Sequence, residues 1–422
     1  MPLGLYISVP FCRTKCSYCN FASDVFSKSA YENYVARLLE DITNSRRLAS
    51  ELGCGLEKTA DSIYLGGGTP SILEGAQLLR IFAAVRDQFA VMPDAEITVE
   101  CAPGTLTPAL LETLRQCGVN RVSLGVQSFV DQEAQSVGRL HKRSTVLEEI
   151  ARLREAGLAN ISIDLIAGLP HQTAESWAFS VSETIATGVP HVSVYMLEVD
   201  DDSRLGRELI AGGSRYHAHF VPDEDATADF YEQACEMLAS AGIAQYEISN
   251  FARRVPRPSS AWAGLLPDNE SRHNLKYWTR QPYLGFGVDA HSFLAVDPHQ
   301  AIRFATPDSL DAYMNRAPHT LTRVSAQAAI EESFFLGLRL NCGVDLDSLL
   351  KAFTNCHPDP ELVEGAGPAF FYSAIESCIR DGLLAQQGTT LCLTGRGRLL
   401  SNEVFARFLT EEKVGTGHVN PR

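Results

Sequence analysis

No apolar run in these 422 residues approaches the ~18 positions that would suggest a membrane span, so any membrane contact is expected to be peripheral. A basic leader is missing too: positions 1–9 lead directly into an apolar stretch, which argues against a secretory signal. Positive charge is in the minority. Lys plus Arg number 36 against 51 Asp plus Glu, a formal charge of −15, which argues against broad electrostatic attachment to nucleic acid or anionic lipid and leaves room only for a local basic patch. Eleven cysteines, an odd number at irregular spacing, do not form a disulfide framework. Reduced thiols are expected, and with them a cytoplasmic location. Internal repeats and low-complexity tracts are absent from the sequence.

What is present is ordinary in bulk and specific in pattern. Hydrophobic residues make up 45% and charged residues 21%, as in a globular protein long enough for one large barrel and a smaller domain. The first half alternates short apolar strands with amphipathic helices. Residues 5–9, 62–65, 96–100, 121–126, 161–166 and 192–197 are the expected strands. Between them, apolar residues recur at helical spacing, as in Tyr34, Val35, Leu38 and Ile42, or Leu78, Phe82 and Val85. Thr107-Pro108 supplies an N-cap and a first-turn proline. Six such units predict an α/β fold, a partial (β/α)6 TIM-like barrel over residues 1–240 whose chemistry gathers at the C-terminal strand ends. Residues 241–325 form an extension with a long Pro- and Ser-rich loop over 253–272. From 326 to 422, helices followed by a hairpin (383–386, 390–393) predict a smaller winged-helix-like domain. Such folds often bind DNA, but the acidic balance favours packing or partner docking.

Three cysteines, Cys12, Cys16 and Cys19, follow the first strand with spacing C-x3-C-x2-C. Three thiolates on one loop can hold three irons of a [4Fe–4S] cluster and leave the fourth iron open, since full ligation takes four cysteines. The same residues admit a zinc site or a redox pair. Zinc would need a second ligand pair, and the next cysteine is the isolated Cys54; a redox pair would leave Cys12 idle. Gly66-Gly67-Gly68-Thr69-Pro70 after the second strand is either a tight turn or a backbone platform for a ligand. Glu100, Gln127, Arg139 and Asp164 lie at or near later strand ends. Asp164 sits inside an otherwise apolar strand, which requires a partner such as Arg139 or a functional role.

Taken together these motifs resemble the radical S-adenosylmethionine (SAM) superfamily, in which SAM chelates the open iron. The runs GGGTPS, GVQSF, GRLH, DLIAGLP and QYEISNFA, over roughly residues 3–400, are similar to its HemN/HemW group. The resemblance implies SAM contacts from Gly68, Thr69, Glu100, Gln127, Arg139 and Asp164, with Tyr6 and Tyr18 lining the SAM and cluster site. It also implies reductive cleavage of SAM to a 5′-deoxyadenosyl radical.

Within the group, the anaerobic coproporphyrinogen III oxidases carry a fourth cysteine two residues after the third. Here that position is Phe21. His273-Asn274-Leu275-Lys276-Tyr277-Trp278 instead matches the H-N-x-x-Y-W signature of the heme-chaperone branch, whose histidine is implicated in heme binding. By itself, a histidine beside aromatics is more often a packed or capping residue. The resemblance therefore implies a heme chaperone that hands heme to acceptor proteins, respiratory ones among them, with no nucleic acid as partner. A coproporphyrinogen III decarboxylase and a nucleic-acid-associated radical SAM protein are the alternatives.

Overall fold

The computed structural model describes residues 1–201, 203–254, 269–296, 300–354 and 368–409. Six strands and their crossovers follow the chain: β1 (Leu3–Val9), α1 (Lys28–Glu51), β2 (Thr59–Gly67), α2 (Gly75–Gln88), β3 (Ala90–Cys101), α3 (Pro108–Gln116), β4 (Arg121–Gln127), α4 (Asp131–Ser136), α5 (Arg143–Glu155), β5 (Ile161–Ala167), α6 (Ala174–Thr187) and β6 (His191–Met196). β1 to β6 are neighbours in chain order and parallel throughout. Parallel neighbours need a crossover, and a helix supplies each one. Local chemistry sets the boundaries. The Thr107 hydroxyl accepts from Leu110 N–H at the start of α3, with Pro108 in its first turn. A capping box of Thr173 and Ser176 starts α6, and Gly188, at φ 69°, ends it.

Strand parity separates two faces. Leu5, Ile7, Val9, Ile63, Leu65, Val99, Val122, Leu124, Ile163, Leu165 and Val192 share one parity and are all fully buried. The opposite parity is polar. Register places Tyr6, Tyr64, Thr98 and Arg121 on one rung, and Glu100, Ser123, Ser162 and His191 on another. Cross-strand partners point the same way, so these side chains line the concave interior of the partial barrel.

The sheet continues beyond the six strands. After α7 (Arg204–Ile210) and α8 (Glu224–Ser240), β7 (Ile243–Gln245) and β8 (Asn250–Arg253) form a hairpin that pairs antiparallel with β6. After α9 (Arg272–Trp278), β9 (Tyr283–Phe286) pairs parallel with β1, and β10 (His291–Ala295), β11 (Ala301–Ala305), α10 (Leu310–Met314) and β12 (Thr320–Val324) follow, their strands extending that edge. These additional strands are three to five residues long, too short for alternation to reveal them in the sequence. The expected loop lies, from 255 to 268, outside the described residues.

The described residues fall into two compact units: 1–276, 281–296 and 302–322 in one, 277–280, 300–301 and those from 323 onward in the other. The second unit contains α11 (Ala326–Gly337), β13 (Val344–Asp345), α12 (Leu346–Thr354), α13 (Pro368–Arg380), β14 (Leu384–Gln387) and β15 (Thr390–Leu393). β13, β15 and β14 form an antiparallel sheet beside the helices, the winged-helix-like pattern expected. Phe334 packs between the rings of Phe371 and Phe408, with centroids 5.0 and 4.8 Å away. Among the described residues, no helix is long and apolar enough to cross a membrane.

Candidate functional site

The loop after β1 brings the three cysteines to the C-terminal end of the strands. Its entry and exit are clamped by Cys12 N–H to Asp24 O and Asp24 N–H to Pro10 O, both at 3.0 Å. Lys15 Nζ donates to Phe21 O (2.6 Å) and Ser23 O (2.7 Å), closing the loop on itself. Ser17 N–H donates to Val137 O (3.1 Å), and Thr14 donates to Gly138 O (3.0 Å), fixing the loop to the segment after β4. Cys12 and Cys16 are buried and Cys19 half-buried. Burial is the first cause that pushes the Cys12 and Cys19 thiols up.

Two groups on other loops reach the sulfurs. Thr69 Oγ1 lies 3.8 Å from Cys12 Sγ, and Arg139 Nη1 lies 3.6 Å from Cys16 Sγ. Arg139 also donates to Gly125 O. Tyr18 packs on Val137, Ile166 and Leu169, beside Cys16. Gly68 allows the approach of the two loops: a Cβ there would stand 2.6 Å from Phe11 O and 2.8 Å from Val9 O. Among the described residues, no three His, Cys, Asp or Glu groups converge on a single metal ion. The donor set is three thiols on one short loop, with a threonine and an arginine alongside. That set fits a cluster whose irons take one thiolate each.

Below this rim lies a polar interior with a cavity of about 50 Å³, lined by Tyr64, Glu100, Ser123, Asp164, Ser193 and Tyr195 among others. Tyr64 donates to Glu100 Oε1 at 2.8 Å. Burial pushes the Glu100 carboxyl up to about 7; the Tyr64 hydroxyl opposes this and the Asp164 charge adds to it. Asp164 accepts from Ser123 at 3.0 and 3.1 Å and from Ser162 at 3.5 Å. No ion pair with Arg139 forms, so serines meet the requirement that a buried carboxylate be partnered. Asp164 too is raised, first by burial. Gln127 ends β4 at φ 69°, and Gly125 opens the space beside its amide and the Arg139 guanidinium. The structure thus gathers Cys12, Cys16, Cys19, Tyr18, Gly68, Thr69, Gln127 and Arg139 at the rim. Glu100 and Asp164 lie on the interior face beneath.

His273 lies elsewhere. It opens α9 at the N-terminal end of the strands, 1% exposed, with Nδ1 3.1 Å from Ser62 Oγ. Its ring stacks with those of Tyr64 (5.4 Å) and Tyr6 (6.3 Å), so the two tyrosines stand between it and the rim. Burial, then Lys276, hold its imidazole down at about 3. Glu96 accepts the N–H groups of Arg272 and His273, both at 3.1 Å, at the positive end of the helix. Lys276, a variable position of the motif, is 1% exposed and bonds Asp61 (2.8 Å) and Pro2 O (2.9 Å).

Sequence reasoning missed the interior layer of Tyr64, Arg121, Ser123, Ser162, His191, Ser193 and Tyr246. His191 links Ser162 (2.7 Å) to the Tyr246 hydroxyl (2.9 Å), and Arg121 lies 3.7 Å from Glu96. The signal was available: polar residues occupy alternate positions 121, 123, 127, then 162 and 164, then 191, 193 and 195.

A partial barrel with three thiols on its first loop, facing a glycine-rich second loop, defines a radical SAM protein. Residues 6–181 match the Radical SAM superfamily and 324–400 the HemN C-terminal domain. A heme chaperone HemW of Lactococcus lactis is 33% identical over 416 residues, covering 97% of this chain and 98% of that protein. The HemW of Synechocystis is 34% identical over 82% of this chain and 79% of its own, and that of Escherichia coli 29% identical over 97% and 99%. The coproporphyrinogen III oxidase (HemN) of Escherichia coli, a radical SAM enzyme, shares the fold with a TM-score of 0.75 at 23% identity, over 96% of this chain and 90% of its own. The chain belongs to the HemW family.

Proposed function

We propose that this protein is a heme chaperone that binds heme and delivers it to acceptor proteins, respiratory ones among them. Its similarity to HemW heme chaperones from end to end is the observation that carries this reading. Cys12, Cys16 and Cys19 would hold a [4Fe–4S] cluster, and SAM would occupy the open iron. Together these groups supply one-electron reductive cleavage of a sulfonium when bound. The chain's own residues would orient and shelter that site. Arg139 and Thr69 point N–H and O–H donors at the ligand sulfurs, which favours the thiolate form. Gly68 gives the backbone close access, and Glu100, Gln127 and Asp164 offer polar contacts to the ligand's amine and hydroxyls. Tyr6 and Tyr18 flank them.

Phe21, 53% exposed, stands where the oxidases have their fourth cysteine and disfavours porphyrinogen decarboxylation. His273 enters this reading through its motif. With its imidazole buried against Ser62, it would reach a heme iron only after α9 leaves the barrel.

The test is hemin titration of the anaerobically reconstituted chain, followed by transfer to an apo-cytochrome acceptor, beside an assay of coproporphyrinogen III conversion. Saturable stoichiometric binding with transfer and no conversion is expected. Absent binding, or conversion to protoporphyrinogen, refutes the reading. Iron and sulfide content of Cys12→Ala, Cys16→Ala and Cys19→Ala tests the cluster separately, and unchanged content would remove it.

A further inference from the structure

Between β6 and α8 the chain makes an excursion that the barrel itself does not require. Its first part is tied to the cluster loop: Leu205 N–H donates to Ser17 O (2.8 Å), and Asn20 Nδ2 donates to Asp200 Oδ2 (2.6 Å). Its second part, 215–220, reads Arg-Tyr-His-Ala-His-Phe, and every residue except Ala218 is exposed. Tyr216 and His217 hold φ of 56° and 58°, and His171, on the loop after β5, holds 70°. Left-handed backbone at three non-glycine residues in one place persists only where the surroundings hold it. Here His171 N–H donates to Phe220 O (3.0 Å), and Arg215 N–H to Glu208 Oε1 (2.9 Å).

The outcome is a pair of facing imidazoles. His171 Nε2 and His217 Nδ1 are 2.9 Å apart, and the Phe220 ring lies 4.0 Å from the rings of both His171 and His219. Burial, then His217 and His219, hold His171 below its ordinary range. When His217 donates from Nδ1 to His171 Nε2, its own Nε2 keeps a lone pair, and that atom has no hydrogen-bond partner among the described residues. Metal-ligating histidines have this arrangement, with one nitrogen for the metal and the other N–H given to a fixed acceptor.

A bare cation would want further protein ligands, and among the described residues no set of three converges. An iron already held by four macrocycle nitrogens needs only an axial one. Exposed Tyr216, Phe220 and Ile210 offer apolar surface for the macrocycle, and Arg215 has the charge its carboxylates require. We propose that His217, positioned by His171, is an axial ligand for heme docked on residues 210–220. This rests on the heme reading above and gives it a site on the same rim as the cluster loop.

The test titrates the full-length reconstituted chain with hemin and follows the Soret band in the wild type, His217→Ala, His171→Ala, His171→Gln and His273→Ala. His217→Ala is expected to shift the band and weaken binding more than His171→Ala, for which the loss is about tenfold. Added imidazole should restore the His217→Ala band, and His171→Gln, which keeps an acceptor, should bind more tightly than His171→Ala. Both histidines lie at the rim, outside the packed core, and circular dichroism with iron content confirms that each variant is folded. Wild-type binding and band position in His217→Ala overturn the proposal, as does a His217 that binds Zn²⁺ alone while hemin ignores it. Loss in His273→Ala only would move the ligand to α9 and keep the heme reading. A wild type that binds no hemin fails both.

Discussion

Glu100 gives the interior a measurable pH signature. Its carboxyl is raised from an ordinary 4.5 to about 7, chiefly by burial and in part by Asp164. The folded chain therefore binds this proton more tightly than the unfolded chain does. Between those two values the native state carries more protons, so stability falls as pH rises and the cost is complete above pH 7. A shift of that size corresponds to about 3 kcal/mol at most, at 1.36 kcal/mol per pKa unit. Glu100→Gln imitates the protonated form and removes the dependence. Urea unfolding of the two proteins without SAM should show near-equal midpoints at pH 4.5. By pH 8 the variant should be more stable by about 1–3 kcal/mol. Asp164→Asn should reduce the gap by removing the like charge. A cation held beside Glu100 should lower its pKa and release a proton, which titration in unbuffered solution would record on adding SAM. Parallel wild-type and Glu100→Gln profiles from pH 4.5 to 8 would refute the argument, because they would mean that water reaches this carboxylate freely.

Three further outcomes follow from the same geometry. Gly68→Ala places a methyl group against backbone atoms of Val9 and Phe11, which cannot yield as a flexible side chain would. Iron content after reconstitution should therefore fall several-fold while far-UV circular dichroism is retained, and undiminished iron would count against the contact. Lys276→Ala strips a partner from Asp61 and from Pro2 O, and it should cost about 3 kcal/mol. Lys276→Met keeps the buried stem and should cost less; equal losses in urea unfolding would show that the stem contributes nothing and that the ammonium's contacts account for the whole loss. Trp177→Ala empties a fully buried site and frees Phe230 O from its 2.6 Å hydrogen bond, for an expected loss of about 3–5 kcal/mol. A loss under about 1 kcal/mol would show that the α6 face repacks.

The sequence by itself determined the parallel core. Strand and helix periodicities differ, and β1 to β6 are long enough to display them, so the six units were legible together with the Thr107 cap and the terminal hairpin. The cysteine loop and GGGTP were legible because their chemistry is local: the spacing of Cys12, Cys16 and Cys19 lies within a single loop. Tertiary structure decided everything that depends on which strands meet. The edge strands β7 to β12 take their identity from pairing partners, and hydrogen bonds between distant segments leave little trace in three to five residues. Asp164 acquired serines from β4 and β5 instead of Arg139, a choice made by register, since adjacent strands present same-parity residues to one another. In the sequence, His273 reads as the motif histidine and Lys276 as a variable position of the same motif. Both are buried because Glu96 and Asp61, far away along the chain, draw α9 onto the floor of the barrel. The pairing of His171 with His217 likewise joins two segments separated by two helices and a strand, and only the folded rim brings their nitrogens within hydrogen-bond distance.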